Sequence, residues 1–212
     1  MARSIVLLAV IFVLSGCGPG KFRESKVIFD DSYYLEDADN MESAFSDDST
    51  LTVRQKGIYE LSESEEGEPL VRICLDDISR ELPEDYNFTE YLMREVEGHI
   101  ALTFTTEEFN LDANPMFLFP LEGEDGLMSG ENFDGTYQIG EGGESYQYIF
   151  EKDGSITMRV TERYYADQKG RMTLSDHAGS TKYLYETYGD ALILKNMKGD
   201  AVLTLIKEAD FH

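Results

Sequence analysis

From Gly135 to Lys207 apolar and polar residues alternate with period two, and glycine-bearing turns interrupt the alternation every few residues. A strand shows successive side chains to opposite faces, so this pattern demands half-buried strands rather than helices. Tyr146, Tyr148 and Phe150 alternate with Gln147 and Glu151, and Ile156, Met158 and Val160 alternate with Thr157, Arg159 and Thr161. Between them Asp153-Gly154 reads as a two-residue hairpin loop. Gly135 to Ile139, Met172 to Leu174, Tyr183 to Tyr185, Leu192 to Leu194 and Val202 to Ile206 complete seven strand candidates. Tyr188-Gly189-Asp190 and Lys198-Gly199-Asp200 supply turns between the last of them. Connections this short make sequence neighbours sheet neighbours. The expected fold is therefore mainly β, an antiparallel up-and-down meander closing into a small barrel so that no long edge stays exposed.

Residues 51–121 are less regular. Ile58 to Leu61, Leu70 to Leu75, Ile100 to Phe104 and Met116 to Phe119 read as strands, whereas Phe88 to Val96 suits one short helix with Asn87 as its N-cap. Gly57-Ile58-Tyr59 and Gly135-Thr136-Tyr137 open similar segments, each followed by a loop rich in Glu and Gly. This suggests two tandem β-units, residues 51–128 with the short helix and residues 133–212 as the meander, with Glu122 to Gly130 as the boundary. Residues 17–50 are polar and acidic and read as a tether, although Phe29, Tyr33, Tyr34 and Phe45 are more aromatic than a linker needs.

The N-terminus has a different character. Arg3 precedes an unbroken apolar run from Ile5 to Leu14, then the small residues Ser15 and Gly16 before Cys17. These are the parts of a secretory signal. The apolar run is shorter than the roughly 20 helical residues that span a bilayer core. Leu14-Ser15-Gly16-Cys17 resembles the lipobox of bacterial lipoproteins at all four positions. The resemblance implies a signal peptide over residues 1–16 and cleavage between Gly16 and Cys17. It also implies a diacylglyceryl group on the Cys17 thiol and acylation, such as by palmitate, of the new amine. Two or more acyl chains anchor stably where one does not. Gly18, where retention at an inner membrane favours Asp in that family, points to an outer membrane in an organism with two.

The Gly-x-Tyr openings, the Phe150-Glu151-Lys152-Asp153-Gly154 turn and the Tyr-Gly-Asp turn resemble lipocalin-like β-barrel domains of bacterial lipoproteins over residues 133–207. That resemblance implies an up-and-down barrel with room for an apolar guest, and it carries over no binding residues.

Loss of residues 1–16 removes one of 18 Lys and Arg and none of 42 Asp and Glu, so the mature chain carries 17 − 42 = −25. A field of that sign repels nucleic-acid phosphates and anionic lipid headgroups, which excludes nucleic acid as a main partner. It leaves cations and a basic envelope protein as candidates. With Cys17 lipidated, Cys74 has no disulfide partner, and its apolar setting in Leu70 to Leu75 describes a buried structural thiol.

Catalytic patterns are sparse. The imidazoles are His99, His177 and His212. His99 sits on the strand face opposite Ile100, Leu102 and Phe104, which places it at the surface. Ser175-Asp176-His177 contains the residue types of a hydrolase triad, but neighbours along a strand point apart. Gly140-Glu141-Gly142-Gly143 precedes a strand rather than a helix, so it is a hairpin loop and not a phosphate cradle. Asp37-Ala38-Asp39-Asn40-Met41-Glu42 spaces oxygens as calcium loops do, yet Met41, Glu42 and Asp48 occupy positions that want an oxygen, a glycine and a bidentate Glu. No metal or cofactor is expected. Thirteen Tyr and twelve Phe occupy mostly inward positions, as core or as the lining of a cavity. The expectation is a lipid-anchored, non-catalytic binding module for an apolar small molecule. The alternative is an acidic module docking a basic envelope partner.

Overall fold

The computed structural model describes residues 25–76, 86–105, 115–121, 134–140, 145–176 and 179–208. Its regular structure is fourteen strands. They are β1 Ser32–Leu35, β2 Ala38–Phe45, β3 Thr50–Glu63, β4 Pro69–Cys74, β5 Thr89–Val96, β6 His99–Phe104 and β7 Met116–Pro120. Then follow β8 Gly135–Ile139, β9 Tyr146–Phe150, β10 Ser155–Ala166, β11 Arg171–Ser175, β12 Ser180–Tyr188, β13 Ala191–Lys195 and β14 Ala201–Lys207. The seven strands expected between Gly135 and Lys207 are β8 to β14. Each strand pairs with the next, and β1 pairs antiparallel with β14 through Tyr34↔Ile206, so the meander closes into a ring. One further pairing joins β3 to β10.

Two compact units divide the chain, residues 1–54 with 160–212 as unit 1 and residues 55–159 as unit 2. This is not the tandem division at residues 122–130, because unit 2 is one continuous segment while unit 1 is built from both ends of the chain. The two Gly-x-Tyr motifs fall together in unit 2, where Tyr59 and Tyr137 both meet the edge of Phe150, at 5.1 and 5.7 Å between ring centroids. The boundary itself, Glu122 to Gly130, lies outside the described residues. Each unit contains part of β3 and part of β10. In unit 1 the Tyr164 N–H donates to the Ser49 carbonyl at 2.9 Å, and in unit 2 the Tyr59 N–H donates to the Gly154 carbonyl at 2.8 Å.

Residues 32–45, expected to belong to a tether, form β1 and β2 of unit 1. Their aromatics explain why: Phe29, Tyr33 and Phe45 are buried, and Phe29 and Phe45 both pack on Tyr164. The Tyr164 hydroxyl accepts from the Phe29 N–H at 3.1 Å and donates to the Ser46 carbonyl at 3.1 Å, which fastens the segment to β10.

The expected helix at Phe88–Val96 is strand β5. Tyr91 and Met93 are buried with period two, and the pairs Leu92↔Leu70 and Met93↔Leu102 place the strand between β4 and β6. Glu97 and Gly98 both have positive φ, 52° and 81°, which makes a two-residue hairpin turn of type I′. A helix would forfeit the ladder bonds on both sides, so pairing overrides local propensity.

The Asp153-Gly154 loop is one residue longer than expected, with Glu151 accepting from Gly154 N–H at 3.0 Å before the strand resumes at Ser155. This type I turn followed by a left-handed residue recurs after Ser46, Ser64, Asp167 and Asn196, with Ser49, Gly67, Gly170 and Gly199 as the left-handed residue. Gly57 is needed for a different reason. A Cβ there would stand 2.1 Å from the Cys74 carbonyl oxygen, so β3 and β4 approach where only glycine fits.

Candidate functional site

Strand β10 turns Val160, Glu162, Tyr164 and Ala166 to one face, and all four are buried in unit 1. Three are ordinary core residues. Glu162, only 5% exposed, is the exception, and its Oε2 has no hydrogen-bond partner. Burial, and then the Asp176 carboxylate, push its pKa from the usual carboxylate value up to about 7. The β10–β11 register, with Arg163 opposite Ser175, carries the strand directions so that Asp176 follows on beside Glu162. Asp176 closes a turn, accepting from the Gly179 N–H at 2.8 Å.

Tyr183 of β12, paired with Met172 of β11, is 3% exposed, and its hydroxyl likewise has no partner. Burial is the main cause that raises it to about 12, and Glu162 adds to it. Two acids and a phenol therefore stand close enough to sense each other. No lysine or arginine is among the buried side chains described. A carboxyl that titrates near neutrality can donate a hydrogen bond when protonated and accept when ionised. Beside it, Tyr183 can do either. The arrangement can hold a polar group. Among the described residues it holds no nucleophile paired with a base.

Glu162 was within reach of sequence reading. The alternation of Ile156, Met158 and Val160 extends by one step to Glu162 and by another to Tyr164, so an acid at an inward position is the signal. An apolar pattern is what marks a strand face, and the acid at position 162 breaks that pattern after Val160.

Asp176, from the Ser175-Asp176-His177 candidate, belongs to this place; the other described candidates do not converge on it. Cys17 and Gly16, His177 and His212, and residues 141–143 of the glycine-rich loop lie outside the described residues. Ser175 ends β11. His99 is half-buried rather than on the surface, because its direct cross-strand neighbour is Phe119, with ring centroids 4.3 Å apart. Cys74 is buried on β4 opposite Ile58. The Asp37–Glu42 segment runs into β2, where Met41 is buried and Glu42 pairs with Arg54 at 3.5 Å. A strand sends its side chains to both faces and cannot wrap a cation. Among the described residues no group of three or more His, Cys, Asp or Glu side chains is placed to hold a metal ion.

Unit 2 carries a charged end of its own. The β3–β4 turn brings Glu63, Glu65, Glu66 and Glu68, the β5–β6 turn brings Glu95 and Glu97, and Arg94 ties the two by its 3.1 Å ion pair with Glu68. Val96, 42% exposed, sits among them.

No protein-family model matches the chain, and neither a curated protein nor a solved structure is similar to it.

Proposed function

We propose that the protein is a lipid-anchored, non-catalytic binding module of the bacterial cell envelope, whose unit 1 receives a small, mainly apolar molecule bearing one polar group. The observation that carries this reading is the pair of buried oxygens, Glu162 Oε2 and Tyr183 Oη, that no protein group satisfies. A buried polar atom left unmade costs about 1–3 kcal/mol, so a guest that supplies the missing bonds gains what the empty protein forgoes. The surrounding face is apolar, with Val160, Met172 and Leu174 buried beside them. The anchor is Cys17, and Gly18 favours the outer membrane where there are two. The test is native mass spectrometry of the protein extracted from membranes in detergent. A reproducible extra mass, lost in the double variant Glu162→Gln, Tyr183→Phe, is expected; a bare mass at every extraction condition rules the guest out. For the anchor, Cys17→Ala should abolish acyl labelling and release the chain from the membrane fraction.

A second reading, docking of a basic envelope protein, draws on the glutamate-rich end of unit 2 and on the net charge of the mature chain. Charge docking of this kind weakens sharply between low and physiological salt, whereas uptake of an apolar guest does not.

A further inference from the structure

We propose that unit 1 contains a proton-operated release, in which uncharged Glu162 keeps the β10–β11–β12 side closed and loss of its proton loosens it. The proposal does not rest on a guest, because it concerns the empty protein.

The geometry supplies both states. Uncharged, Glu162 is a polar but neutral side chain within an apolar face, at the modest cost of an unsatisfied oxygen. Ionised, it is a buried charge, and such a charge needs a countercharge or several hydrogen-bond donors. Neither is present. From β11 the facing titratable group is Asp176, which repels a second negative charge. From β12 it is the Tyr183 hydroxyl, whose own ionisation Glu162 opposes. From β3 the inward residues are Leu51 and Val53, from β13 Leu192 and Leu194, and from β14 Leu203 and Leu205. At 5% exposure the charge gains little water unless the strands part.

They can part at one place more easily than elsewhere. Tyr164, two residues on from Glu162, is held by hydroxyl bonds to Phe29 and Ser46 backbone, while β11 is five residues long and leads into the turn at Asp176. Opening on the β11–β12 side leaves the Tyr164 fastening intact.

The sign of the pH dependence follows from linkage. The carboxyl binds its proton more tightly in the closed state, where it titrates near 7, than in the open state, near its ordinary 4.5. The closed state is thus favoured most below 4.5. The opening constant rises about tenfold per pH unit from there and levels off above 7, for a total of roughly three-hundredfold.

The experiment is hydrogen exchange with mass spectrometry on the full mature chain between pH 4.5 and 8.5, corrected for intrinsic exchange. Peptides covering 171–184 are expected to lose protection up to neutrality and then to plateau, with no such profile in peptides of unit 2. In Glu162→Gln the profile should be flat. In Asp176→Asn, which removes the repelling charge, the plateau should begin at lower pH, a displacement that a merely structural role for Asp176 does not produce. The same profile in wild type and Glu162→Gln, or parallel loosening of both units, overturns the proposal. If Glu162→Gln does not fold, the displacement in Asp176→Asn decides alone, and an unmoved plateau overturns the proposal.

Discussion

Units 1 and 2 are built from the same turn, the same alternation and similar numbers of aromatic side chains, yet their buried acids differ: Asp76 of unit 2 accepts from Asn87 Nδ2 at 3.0 Å, whereas Glu162 Oε2 of unit 1 has no partner. In unit 2 the Tyr59 hydroxyl donates to the Glu151 carbonyl at 2.9 Å, and the buried Gln147 accepts from Arg159, whose Nε lies 2.6 Å away. In unit 1 the Tyr164 hydroxyl is bonded in the same manner, but Glu162 Oε2 and Tyr183 Oη are not, a state that His99 Nδ1 shares in unit 2. One inward position occupied by an acid is enough to turn a passive face into one whose stability follows pH. The units also differ in assembly. Unit 2 closes from contiguous chain, while unit 1 needs β1 from one terminus to meet β14 from the other.

The most severe way to break this comparison is Gly57→Ala, which sets a Cβ against the Cys74 carbonyl and cannot be relieved by a side-chain rotation. A loss of about 3–5 kcal/mol in denaturant unfolding is expected, with exchange protection falling first in unit 2. Equal loss of protection in unit 1 at the same denaturant concentration would show that the units do not unfold separately.

Next in size is Glu162→Gln, whose effect depends on pH. Wild type gives up stability as pH rises from 4.5 through 7. The variant does not, so it should be more stable by about 3 kcal/mol at pH 8 and unchanged at pH 4.5. Urea unfolding at the two pH values measures it, and an equal difference at both would mean that ionisation is not the cause.

Tyr164→Phe sharpens the contrast within unit 1, since it removes a hydroxyl that is satisfied. It strips the acceptor from the Phe29 N–H and should cost about 1–3 kcal/mol at any pH. A loss that varies with pH like that of Glu162 would join the two sites in one network.

The smallest effect is expected at Ser49, the left-handed residue of the β2–β3 turn that is glycine in the four related turns. Ser49→Gly relieves φ of 67° at the cost of a weak 3.4 Å bond from the Ser25 N–H, for a gain of up to about 1 kcal/mol and a small rise in Tm. A fall in Tm would mean that the Ser25 contact matters more than the backbone strain.

Much of this architecture was legible in the residues. Inward Tyr148, Phe150, Ile156 and Leu194 and the Asp153-Gly154 and Lys198-Gly199-Asp200 turns mark strands and reversals through purely local preferences. Strand β5 reads as a helix because Phe-Thr-Glu-Tyr-Leu-Met-Arg-Glu-Val satisfies helical spacing as well as alternation, and only its neighbours β4 and β6 break the tie. Strands β1 and β2 were hidden by Asp and Glu on their outward faces, which made a half-buried hairpin look like a tether.

What the sequence by itself determined is the strand content, the order of reversals and the acidity, because period-two alternation and left-handed turn residues act over a few neighbouring positions. The tertiary structure alone decided that β1 closes on β14, that Ser49 meets Tyr164 across 115 positions of chain, and that Glu162 lies inside unit 1 beside Asp176 and Tyr183. Those are pairings between distant segments, selected by which faces can be buried together, and no local pattern encodes a partner that far away.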